Sequence, residues 1–98
     1  MKSKRSKACD IPLKVKKIVW ERDRCCIICG DRNAMPNAHY ISRAKGGLGI
    51  EKNIVTLCFD CHRAYDQSDN RKACKNIIKN YLKEQYLDWN EDDLVYKK

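Results

Sequence analysis

Apolar positions follow a helical period near both ends of the chain and lose it in the middle. In "DIPLKVKKIVWERD", Val15, Ile18 and Val19 fall at i, i+3 and i+4 with lysines between them, and Pro12 suits a first turn, so this stretch predicts a helix. "SDNRKACKNIIKNYLKEQY" predicts a second, longer amphipathic helix at about residues 69–86. Cys74, Ile77, Ile78, Tyr81 and Leu82 form its stripe, with Ser68 or Asp69 as its cap. Between them, "AHYIS" and "NIVTL" are short and β-prone, separated by the glycine-rich "KGGLG". "CHRAYD" reads as an exposed turn or two of helix. The tail "LDWNEDDLVYKK" carries Trp89, Leu94 and Tyr96, which are expected to lie back on the domain.

Ahead of the first helix, Lys2, Lys4, Arg5 and Lys7 make residues 1–8 a basic arm, expected to be flexible, and residues 9–98 a single domain. With 98 residues in all, the hydrophobic core alone is marginal, and a metal or a partner is expected to help hold it.

The seven cysteines supply the metal hypothesis. Cys26 and Cys29 in "CIIC", with Cys58 and Cys61 in "CFDC", are two Cys-x-x-Cys knuckles able to complete a closed, structural four-thiolate zinc site. Cys25 is one residue out of knuckle spacing and reads as packed or free; Cys9 and Cys74 read as bystanders. The odd count fits a closed disulfide set poorly. No apolar run follows the basic N-terminus and no stretch approaches membrane-spanning length, so the expected location is a reducing cytoplasm.

Charge points to the partner class. Lys and Arg number 21 against 13 Asp and Glu, a net +8 that favours a polyanion, nucleic acid being the commonest for a soluble protein.

The 28 residues between the knuckles hold the remaining chemistry. His39 lies on the first β-prone stretch, Asn53 opens the second, and His62 directly follows Cys61, so zinc at the knuckles would fix where the His62 helix begins without joining a second site. "AHYISRAKGGLGIEKNIVTLCFDCH" resembles the HNH endonuclease motif in its zinc-containing form, with His39, Asn53 and His62 as the name-giving residues over about residues 26–66. The whole chain is also similar to small stand-alone HNH proteins of phages and prophages.

The resemblance implies an α+β fold of the ββα-metal (His-Me finger) type with flanking helices. It also implies metal-dependent hydrolysis of DNA phosphodiester bonds, as an endonuclease or nickase in a bacterial host cell. His39 would be the general base and His62 a ligand of a catalytic Mg²⁺ or Mn²⁺, while Asn53 would either brace the His39 loop or join the metal shell. Family members often carry Asp or His before the base; here Ala38 stands there, and Asp66, four residues after His62 on a helix, is the expected replacement ligand, ahead of Asp60. Arg43 and Lys45 are expected to contact DNA, and "KGG" to let backbone approach a phosphate. The rival readings are a catalytically weak or inactive zinc-ribbon DNA-binding module, and a packaging accessory that docks on phage terminase through Trp89, Leu94 and Tyr96.

Overall fold

The computed structural model describes residues 3–67 and 69–97, without the side chain of Gln67. In chain order it contains α1 (Lys4–Cys9), α2 (Leu13–Asp23), β1 (Ala34–His39), β2 (Ile54–Cys58), α3 (Phe59–Gln67) and α4 (Arg71–Gln85), with 3₁₀ turns at Arg43–Lys45 and Glu91–Leu94. This is a small α+β fold in which an antiparallel hairpin leads without a break into a helix. None of the described helices is long and apolar enough to cross a membrane.

The segment expected to be a flexible arm is instead helical from Lys4. Ser3 caps α1 by accepting from the Ser6 amide, Arg5 reaches across to the Ala44 carbonyl at 2.9 Å, and Cys9 is buried. Charge density concealed this, because the anchors are an N-cap and one cysteine rather than an apolar run. Met1 and Lys2 of the expected arm, Ser68 of the expected cap and Lys98 lie outside the described residues. At α4 the N-cap position falls to Asn70 rather than Asp69.

Strand β1 begins four residues before the expected "AHYIS" and stops at His39. Its register against β2 pairs Met35 with Leu57 and then Ala38 with Val55, so Pro36 and Asn37 together oppose Thr56. This is a β-bulge, and proline inside a strand is tolerated at such a place.

β2 is buried along its whole length. The core gathers Ala38, Val55, Leu57 and Tyr65 with Ile78 and Leu82 of α4 and Leu94 of the tail. Ile77, expected on the buried stripe of α4, is 44% exposed, because Cys74, Ile78 and Leu82 at i, i+4 and i+8 already fill the contact. The tail does lie back on the domain. Leu94 is fully buried, Trp89 donates to the Lys52 carbonyl at 2.7 Å, and the Tyr96 amide donates to Gly46 at 2.8 Å.

The opposite side of the hairpin is held by a buried ion pair. Asp23, at the end of α2, accepts from Arg22 at 2.6 Å, from the Thr56 amide at 2.9 Å, and from the Tyr81 hydroxyl. Arg22 in turn donates to the carbonyls of Glu51 and Ile54 at 2.9 and 2.8 Å, on either side of Asn53. A charge pair this deeply placed needs nearly all its hydrogen-bonding positions filled, and here they are.

Candidate active site

The knuckles come together as their spacing implies. One sulfur from each of Cys26, Cys29, Cys58 and Cys61 lies within 4.8 Å of the others, and the Cys29 and Cys58 sulfurs are 3.6 Å apart. Four thiolates on a tetrahedral zinc sit about 3.8 Å from one another, so the donor set fits zinc in both chemistry and spacing. Crowding makes the thiols unequal. Burial raises the Cys26 thiol, but backbone N–H donors at Cys29, Cys58 and Ile28 outweigh it and bring it to about 7; burial and its three sulfur neighbours push Cys61 well above the usual thiol range. A divalent cation would reverse that penalty. Cys25, half-buried, is outside the cluster, as are Cys9 and Cys74.

Because β2 ends on Cys58 and α3 starts on Phe59, the cluster sets the first turn of α3 and hence the position of His62. His62 Nδ1 lies 2.9 Å from Asp66 Oδ2, one helical turn on. Both residues line a cleft of about 730 Å³, together with His39, Asn37, Arg43 and Asp10. Asp60 is exposed and lines neither this cleft nor the one beside it.

His39 closes β1 and is oriented by a residue thirty positions earlier. Its Nε2 is 2.9 Å from the Cys9 carbonyl oxygen, which only accepts, so Nε2 carries the proton and Nδ1 is the ring's acceptor. Burial, helped by the nearby Arg43 and His62, holds His39 below its ordinary value, although the Cys9 carbonyl and Asp10 pull the other way. The ring is therefore neutral at neutral pH.

Arg43 secures the carbonyl that orients His39. Its Nη1 donates to the same Cys9 oxygen at 2.9 Å, and its Nη2 pairs with Asp10 at 2.7 Å. The guanidinium expected to contact DNA is thus engaged at the wall of the cleft, while Lys45 is exposed and outside the cleft lining.

The glycines of "KGGLG" serve packing rather than a phosphate cradle: all three are buried. A Cβ on Gly49 would stand 1.9 Å from the Asp10 carbonyl oxygen, and one on Gly47 would stand 1.6 Å from that of Ile41. The absent side chain at Gly49 lets the segment after α1 lie against the loop, where the Gly49 amide donates to Ala8 at 2.9 Å.

Asn53 is fully buried with its amide spent on backbone. Its Oδ1 accepts from Ile41 N at 2.8 Å, and its Nδ2 donates to Leu48 and Ile41 carbonyls at 2.8 and 3.2 Å. Its own carbonyl accepts from Tyr40 N at 2.7 Å. Of the two roles left open for it, this geometry is that of a brace, and Asn53 does not line the cleft.

Ala38 is 1% exposed and packs in the core opposite Val55, so a carboxylate at that position would need a partner inside the fold. Asn37, placed by the bulge, faces the cleft that His62 and Asp66 line. Sequence reasoning overlooked it, although a proline within a strand was a signal of the bulge. It also read Cys9 as a bystander and passed over Asp10, for which no local signal exists because both act across the fold.

Residues 26–68 match the family model described as HNH endonuclease. A protein of Nostoc sp. (strain PCC 7120 / SAG 25.82 / UTEX 2576), Anaredoxin, is 33% identical over 45 residues, covering 45% of this chain and 59% of its own length. No solved structure matches the chain significantly. The segment that carries both knuckles, His39, Asn53 and His62 is thus similar to HNH endonuclease domains.

Proposed function

We propose that the protein is a metal-dependent DNA endonuclease or nickase. The observation that carries this reading is the 2.9 Å contact from His39 Nε2 to the Cys9 carbonyl, which leaves a neutral imidazole with Nδ1 as proton acceptor in the cleft lined by His62 and Asp66. Phosphodiester hydrolysis needs a base for the attacking water and neutralisation of charge on the phosphate. His39 Nδ1 is the group to take the proton. His62 and Asp66 are the groups to hold a divalent cation, Mg²⁺ or Mn²⁺, which when bound polarises the phosphate and stabilises the leaving oxygen.

His62 Nδ1 and Asp66 Oδ2, 2.9 Å apart, are at hydrogen-bond distance; an octahedral ion with bonds of 2.0–2.1 Å, whose neighbouring ligands lie about 2.9–3.0 Å apart, would replace the proton between them. Two protein donors suit an ion that keeps several waters, and the Asn37 amide stands beside them to bond a water or a phosphate oxygen. Asn53 acts through the loop it braces. Lys16 and Arg71 give the cleft positive charge for DNA, while Arg43 is paired with Asp10.

Docking on phage packaging proteins through the tail gains no support, since Leu94 is fully buried and Trp89 is bonded within the domain. Supercoiled-plasmid conversion by zinc-loaded protein with EDTA, Mg²⁺ or Mn²⁺, beside His39→Ala and Asp66→Ala, tests the reading. Metal-dependent nicking lost in both variants is expected. DNA binding without any metal-dependent product from the wild type would instead indicate a binding module.

A further inference from the structure

The cleft that holds His39 does not stop at His62. Asn37, His62 and Asp66 also line a second cleft of about 600 Å³ whose far side is Met35, Leu57, Phe59 and Arg63. The two clefts therefore share Asn37, His62 and Asp66. The basic half carries Lys16 and Arg71, with Arg43 paired to Asp10; the other adds the apolar Met35, Leu57 and Phe59. Phe59 is 74% exposed and Met35 62%, and both belong to that lining. Phe59 is held as the first residue of α3, one position after the Cys58 thiol, and the Arg63 guanidinium stands 6.0 Å from its ring centre.

Scattered exposed apolar residues need no explanation, but a phenylalanine and a methionine sharing a groove with the candidate metal ligands do. A strand whose phosphate lies over His62 and Asp66, and whose backbone runs toward the basic half, brings its neighbouring nucleotide onto Phe59. Double-stranded DNA keeps base faces covered by stacking and offers only backbone and groove edges. An aromatic ring beside a basic channel is matched by a base that is out of the stack.

Resting on the nuclease reading above, we infer that Phe59, with Met35 and Arg63, is a stacking shelf for an unpaired nucleobase next to the scissile phosphate. The substrate class is therefore DNA with an unstacked nucleotide at the cut: single strand, flap or flipped base.

The test measures binding by fluorescence anisotropy with the full zinc-loaded chain and no other divalent ion. Probes are a labelled short oligothymidylate and a duplex of the same length; variants are Phe59→Ala and Phe59→Tyr. Phe59 is exposed, so neither variant disturbs the core, and zinc content and circular dichroism verify that. The expected result is a loss of about tenfold or more in single-strand affinity for Phe59→Ala. Duplex affinity should stay within twofold, and Phe59→Tyr should bind like wild type. Replacing thymines one at a time by abasic sites should reveal one position at which wild type and Phe59→Ala become equal.

Equal losses on both DNAs, a single-strand change below twofold, or failure of tyrosine to restore binding would overturn the inference. Plasmid nicking by the same preparations separates the two proposals. His39-dependent nicking with Phe59→Ala binding both DNAs normally removes the shelf and leaves the nuclease. The selective Phe59 effect without nicking removes the catalytic reading and with it the shelf's place beside a scissile phosphate, leaving Phe59 as a contact for single-stranded DNA alone.

Discussion

The two ends of the hairpin are held by opposite means. At the knuckle end, four thiols crowd together, and burial together with its sulfur neighbours drives one of them, Cys61, far from its ordinary ionisation. At the His39 end, Asn53 is satisfied by the backbone of Tyr40, Ile41 and Leu48, while His39 and Arg43 share the Cys9 carbonyl and Arg43 pairs with Asp10, through contacts of 2.7–3.2 Å. The first arrangement suits a bound cation. The second is complete in the polypeptide. The comparison teaches that the position of His62 follows from whatever holds the four thiols together, whereas the tautomer of His39 is set by the chain itself.

The strongest way to break the comparison is to remove the metal. Structural zinc contributes apparent binding energies of about 10–16 kcal/mol in small zinc domains, as much as a domain's whole stability. Chelation, or Cys58→Ser, should abolish cooperative thermal unfolding and activity together; an unchanged melting curve after verified zinc loss would refute the role of the cluster.

Next is the buried ion pair behind the hairpin. Asp23→Ala strands Arg22, whose side chain is only 10% exposed, and should cost about 3–5 kcal/mol by denaturant unfolding. A loss below 1 kcal/mol would mean that water reaches Arg22.

Gly49→Ala probes the other end. Its Cβ must displace the Asp10 carbonyl, a strain of about 1–3 kcal/mol, and carries the Cys9 oxygen with it. Nitrogen-15 NMR should find His39 protonated on Nε2 in the wild type and a tautomer mixture in the variant, with nicking reduced about a hundredfold. A wild-type tautomer in the variant would show that Cys9 does not set it.

The pH dependence sharpens the same point. His39 is held below 6.5 when folded, chiefly by burial, so the unfolded chain takes up its proton first as pH falls. Its stabilising contribution is full above 6.5 and is lost as pH drops through the lower, folded value. The acid limb of the nicking rate should likewise lie below 6.5; a limb centred above it would assign the titration to another group.

The smallest effect is expected at Thr56, opposite the bulge, whose buried hydroxyl has no partner among the described residues. Thr56→Val removes that group at nearly constant volume and should leave stability unchanged or raise it by up to about 1 kcal/mol.

Some of this was legible along the chain, because it rests on local spacing. Cys-x-x-Cys spacing identifies knuckles wherever they occur, the i, i+4 relation puts His62 and Asp66 on one helix face, and the apolar stripe of α4 follows from its period. The basic run at the N-terminus misled, since a run of charge does not reveal one N-cap and one buried cysteine.

What spacing does not encode is contact between distant segments. The Cys9 carbonyl meets His39 across thirty residues, and Arg43 reaches Asp10, only once Gly49 admits the segment between α1 and α2. The bulge that turns Asn37 into the cleft while Ala38 stays in the core exists only in the register between two strands. Residue types and periods determined by themselves which side chains could do chemistry. Tertiary structure decided which ring nitrogen of His39 is left as an acceptor, because a tautomer depends on the partner across the hydrogen bond and that partner belongs to another part of the chain.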